Sequence, residues 1–163
     1  ARAYYMIILL YDCKKNFKKR DKYIKECLKF LKREIKKYPK SYEHKICRAG
    51  VLLTSDSKWK TAGVLIDELI KERAHSKTFI FKGLYEKKKG KLNEAIKWFM
   101  QAKQAYPREN EWYALINLSK IYRELGQYDL ALQNCKDALA INPNNRFVKD
   151  EIKVIGKERA NKK

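Results

Sequence analysis

His44 and Cys47 lie one helical turn apart, the spacing at which an imidazole could take a thiol proton, or at which the two could form half of a metal site. Either chemistry needs a third oriented group, and no further Cys or His stands near them in the sequence. Cys13, Cys27 and Cys135 are scattered, with no Cys-x-x-Cys, which reads as free thiols in a reducing compartment and makes a cytoplasmic location the expectation. Gly90-Lys91 lacks both the upstream glycine and the following hydroxyl of a phosphate-cradling loop. His75 stands between two periodic stretches and reads as a solvated or capping side chain. No catalytic group, metal or cofactor is therefore expected, and any function must be carried by surfaces.

Charge is the next strongest signal. The 163 residues hold 39 Lys+Arg against 19 Asp+Glu, a formal charge of +20. Such a balance attracts acidic protein surfaces, nucleic acid or anionic lipid and says nothing about fold. The longest apolar run, 4–11, is about half of what a membrane span requires, so none is expected. The chain begins at Ala1 without a methionine or a secretory pattern, and we expect it to be a piece of a longer polypeptide. With 45% hydrophobic residues but only 3 Pro and 6 Gly, the composition favours an all-α fold.

The elements that must present these surfaces follow from periodicity. Residues 1–13 read as a helix with Tyr4, Ile7, Ile8 and Tyr11 on one face, and its apolar circumference suggests self-association through an uncovered end. Residues 14–20 read as a charged connector with Asn16 as its break. From Asp21 to Tyr38, Ile24, Cys27, Leu28, Leu31, Ile35 and Tyr38 form a core stripe, while Lys18, Lys22, Lys25, Lys29, Lys32 and Lys36 recur on the opposite face at steps of four and three. Further on, small residues recur at fixed offsets: Gly50 to Gly83 and Ala62 to Ala95 are 33 apart, and Gly90 to Gly126, Ala95 to Ala131, Ala102 to Ala138 and Pro107 to Pro143 are all 36 apart. A constant offset of this kind marks repeated helix hairpins. Leu115, Leu118, Ser119 and Tyr122, then Gly126 and Tyr128, then Ala131, Cys135, Ala138 and Pro143 form the best preserved of them, with the glycine supplying the left-handed stop between its two helices.

In these residues the chain resembles the tetratricopeptide repeat, a helix-turn-helix unit of about 34 residues; Cys135 alone departs visibly, standing where an aromatic is usual. The expected architecture is all-α, a right-handed superhelical solenoid of about four such hairpins with a C-terminal capping helix, forming a single domain over 1–163. The expected divisions are degenerate repeats at 1–40 and 43–76, repeats at 76–109 and 112–145, a capping helix at 146–158 and a frayed basic tail at 159–163.

The resemblance implies a concave groove lined by the first helices of successive repeats. Carried over position by position, its lining is His44, Cys47 and Val51, then Lys77, Ile80, Leu84, Lys87 and Lys88, then Tyr113, Ile116, Lys120 and Arg123. This mixed apolar and basic lining suits a protein segment with apolar anchors and acidic flanks, and glutamates at Leu84 and Ile116 are expected to abolish capture without affecting melting. The family's clamp for a C-terminal carboxylate is not formed, since the matching positions hold residues such as His44, Phe81 and Tyr113. The resulting expectation is a non-catalytic interaction module or scaffold within a larger regulatory protein. Two alternatives are a basic helical-repeat domain that binds an RNA end or phosphate backbone and a self-assembling oligomer. The lysine ladder, expected on the convex side, reads either as a solvated face opposite a core face or as a phosphate-binding strip.

Overall fold

A computed structural model describes residues 14–105 and 110–161, and among these it contains eight α-helices and no strand. The expected helix at 1–13 and the repeat-closing Pro107 lie outside the described residues. The described residues group into two compact units, divided between Ala74 and His75.

The first unit contains α1 (Phe17–Lys37), α2 (Tyr42–Thr54) and α3 (Trp59–Glu72). Asn16 is the break, but α1 begins directly after it, with the Asn16 side chain accepting a hydrogen bond from the Lys19 amide at 3.2 Å. The charged run therefore starts the helix and is not a connector. Arg20 shows why a charged residue can belong there: it is buried, and its guanidinium is held by Asp21 at 2.9 Å and by Asp56 of the α2–α3 turn at 2.6 Å. Ile24, Cys27 and Leu31 of α1 then close on Val51 of α2 in one apolar cluster. α2 and α3 form an antiparallel hairpin, and the Tyr42 hydroxyl at the start of α2 donates to the Leu69 and Arg73 carbonyls at the end of α3.

The second unit contains α4 (Ser76–Lys88), α5 (Leu92–Gln104), α6 (Glu111–Glu124), α7 (Tyr128–Ile141) and α8 (Arg146–Ala160). The α4–α5 and α6–α7 turns are built alike. Gly90 and Gly126 sit at φ +77° and +75°. Each glycine amide donates to the carbonyl three residues back, and the next amide reaches five back: Lys91 to Glu86 at 3.0 Å and Gln127 to Tyr122 at 2.8 Å. This paired closure satisfies the last carbonyls of a helix and needs the left-handed backbone that glycine adopts without strain.

Behind the turns, the helices of each hairpin approach through a matched pair of positions. In the first hairpin a Cβ added to Gly83 would stand 2.8 Å from the ring of the fully buried Phe99. In the second, Ser119 and Cys135 occupy the equivalent places 36 residues on, with Oγ and Sγ 3.0 Å apart. The cysteine that departs from the repeat pattern thus meets a larger partner on the facing helix, so the pair fills the space the aromatic and glycine fill one repeat earlier.

α8 packs against α7 and α6. Asn145 caps it by accepting from the Val148 amide at 3.3 Å, and it runs through Gly156 to Ala160, past the frayed end expected at 158. No neighbour lies within 4 Å of a Cβ at Gly156. Gly156→Ala should therefore raise the unfolding free energy by about 0.5–1 kcal/mol, the helix-propensity difference, measured as a higher urea midpoint at constant slope.

Candidate interaction surfaces

Lining the groove with first-helix residues requires those residues to be reachable, and burial sorts them. Val51, Ile80 and Ile116 are 0, 2 and 3% exposed; expected on a groove wall, they are core residues instead. Val51 closes on α1, with Cys47 half-buried against the same cluster. Ile116 lies under α8, in a cluster with Val148 and Ile155. His44 is half-buried, and its Nδ1 has no hydrogen-bond partner among the described residues. These three first-unit positions pack within their own unit, and no third ligand joins His44 and Cys47 in a metal-binding group among the described residues.

The buried thiols of Cys27 and Cys135 carry no sign of activation. Burial pushes the Cys27 thiol up to about 11 and also raises that of Cys135, whose hydrogen bond with Ser119 works in the opposite direction. A nucleophilic cysteine needs the reverse shift. His75 is buried as a cap, its Nδ1 accepting from the Lys77 amide at 3.1 Å.

In the second unit the first helices α4 and α6 are tied by side chains at both ends. Near their starts Asn110 Nδ2 donates to Ser76 Oγ at 3.1 Å, and near their ends Lys87 Nζ meets Glu124 at 2.6 Å. The charge expected of Lys87 in the groove is therefore already answered. Arg123 is likewise engaged by α8, at 2.7 Å to Glu151 and 2.6 Å to Glu158. Burial opposes its charge, and the hydrogen bond and charge of Glu151, followed by Glu158, outweigh burial, so its pKa moves further up. Arg123 also lines an open depression of about 310 Å³ with Glu124, Tyr128, Glu158 and Asn161, but its guanidinium is already held there.

Between the two ties, Leu84 and Lys77 of α4 and Lys120 of α6 are half-buried and Tyr113 is exposed, as is Lys88 just past the second tie. α6 is buried continuously from Ala114 to Ser119, so beyond its first two residues it reaches solvent at Tyr113 and then at Lys120 before its last turn. What remains of the expected lining in this unit is a short face with two apolar side chains, Leu84 and Tyr113, beside three lysines. Sequence reasoning missed Glu124, Glu151 and Glu158 because each reaches its partner across 28–37 residues. Ser76 and Asn110 did leave a signal, lying one repeat length apart at successive joints.

The second surface is the lysine row of α1. Lys18, Lys22, Lys25, Lys29, Lys32 and Lys36 are all exposed, on the side away from the Ile24, Cys27 and Leu31 core stripe. No described helix is long and apolar enough to cross a membrane, and the segment that suggested self-association, 1–13, lies outside the described residues.

Comparison with known families agrees with the hairpins. Residues 76–109 and residues 112–145 each match a family model of the tetratricopeptide repeat. No curated protein matches the chain.

Proposed function

We propose that this chain, a member of the tetratricopeptide repeat family, captures a protein segment on the α4–α6 face of its second unit. Repeats of this family mediate protein–protein contacts and scaffolding, and the finer reading concerns which side chains do so here. The observation that carries it is the face left between the two ties: Leu84 is half-buried and Tyr113 exposed there, while Ile80 and Ile116 are committed to the core. Lys77, Lys88 and Lys120 surround Leu84 and Tyr113 with positive charge. A segment with one or two apolar side chains and neighbouring Asp or Glu meets both demands, the charges raising the encounter rate and the anchors holding the complex. The role is that of a non-catalytic module within a larger regulatory protein.

The test is selection of binding peptides from a random display library on the full chain. Peptides of the stated pattern should emerge. Leu84→Glu and Tyr113→Ala should each weaken the selected peptides about tenfold or more, near the threshold of about 1.4 kcal/mol that marks an energetically significant contact, with unchanged unfolding midpoints. Undiminished binding to Leu84→Glu would sink the reading.

A further inference from the structure

We propose that the exposed lysine row of α1 is a sequence-independent binding strip for the phosphate backbone of a nucleic acid duplex. It is separate from the peptide-capture reading, belongs to the first unit and stands or falls by itself.

Geometry makes the row a single feature. From Lys18 to Lys36 the helix rises about 27 Å at about 1.5 Å per residue, with one exposed ammonium at each turn. Its charge is not answered among the described residues. None of the six lysines makes an ion pair with a described residue: Asp21 is taken up with Asp56 in holding the buried Arg20, and Glu26 and Glu34, the other carboxylates of α1, are half-buried and pair with none of the row. Lysines three and four apart on one face repel by about 0.2–0.5 kcal/mol per pair, and the row contains five such neighbours. A helix that needed only solubility could alternate signs and gain from the same spacing. A polyanion laid along the row removes the repulsion.

The apolar face of α1 identifies the kind of polyanion. Ile24, Cys27 and Leu31 are buried against α2, so the apolar stripe of this helix is committed to the core, leaving single exposed aromatics at its two ends, Phe17 and Tyr38, whereas firm attachment to lipid generally takes a second, apolar signal beside a basic patch. An acidic protein segment meets a similar difficulty, because exposed ion pairs alone contribute little and its affinity would need a buried anchor. A nucleic acid duplex needs neither. Neutralising its phosphates releases condensed counterions, and that release supplies affinity without apolar contact. Lysine suits the task as a point charge that fixes position without reading bases.

The experiment uses the full chain and fluorescein-labelled DNA and RNA duplexes of about 24 base pairs and mixed sequence, with anisotropy read between about 50 and 200 mM salt. If the six lysines each neutralise a phosphate, log K against log salt should have a slope of about −5 and affinity should fall about a thousandfold across that range. The variant Lys22→Glu, Lys25→Glu, Lys29→Glu should flatten the slope to about −3 and weaken binding at least tenfold. Its unfolding midpoint should hold or rise, since the new carboxylates sit beside the remaining lysines. The control Lys60→Glu, Lys136→Glu, Lys149→Glu also lowers the formal charge of +20 by six, each reversal counting two, and should keep the slope near −5. Equal losses from the two variants would show a general charge effect and overturn the strip. So would the absence of duplex binding at 50 mM salt, or binding to phosphatidylserine vesicles with none to duplexes.

Discussion

Ile116→Glu will cost the second unit its fold, whereas Leu84→Glu will leave it standing. The two positions look equivalent as groove residues in the repeat pattern, and the structure separates them. Ile116 is 3% exposed and lies among Leu115, Ala131, Cys135, Ala138, Val148 and Ile155. A carboxylate there loses its hydration and finds no cation in that cluster, which penalises the folded state by several kcal/mol in addition to the lost apolar burial. A domain of this size has about 5–15 kcal/mol in total, so a loss of about 4 kcal/mol or more leaves it unfolded or barely folded. Leu84 is half-buried, and a glutamate there can keep its charge in water. The measurement is urea unfolding followed by circular dichroism, with amide exchange at Ala114–Ser119 as the local readout. Wild-type exchange in Ile116→Glu would return this residue to the surface.

The difference between these two leucine-like positions marks where sequence was informative. The hairpins were legible because close helix approach demands small side chains at fixed places, and the offsets of 33 and 36 residues expose that demand without any knowledge of contacts. The stops at Gly90 and Gly126 were legible for the same local reason, a left-handed backbone that favours one residue type. What a helix face meets is a different matter. Ile116 is covered by α8, and Arg123 is held by Glu151 and Glu158 of that helix; position within a repeat carries no information about the element that follows the last repeat. The start of α1 failed to show for a related reason. A run of charge from Lys14 to Arg20 looks like a loop until Arg20 is seen buried against Asp56, 36 residues away. The division at Ala74 had no marker either, since a repeat period continues across it with Gly50 and Gly83 33 apart.

The second large effect concerns the matched pairs behind the turns. Gly83→Ser should destabilise the protein by about 1–3 kcal/mol or more, because even a Cβ would stand 2.8 Å from the Phe99 ring, and that ring is fully buried and has no room to yield. Phe99→Cys should be worse, at about 3–5 kcal/mol, because it empties a ring-sized space in a close-packed interior. The two together rebuild the arrangement that Ser119 and Cys135 already make one repeat later, where a side chain smaller than phenylalanine on α7 faces one larger than glycine on α6. The double variant should therefore be more stable than the sum of the single losses predicts, with a coupling of about 1–3 kcal/mol in its favour. The mirror exchange makes the same claim from the other side: Cys135→Phe alone overfills the second hairpin, and adding Ser119→Gly relieves it. Urea midpoints for the seven proteins of the two cycles, which share the wild type, are sufficient. Additive losses in both cycles would mean that the pairs do not share one volume, and the departure at Cys135 would then need another cause. Coupling in both would explain the residue that fits the repeat pattern least by its contact with Ser119, which takes the place of a glycine.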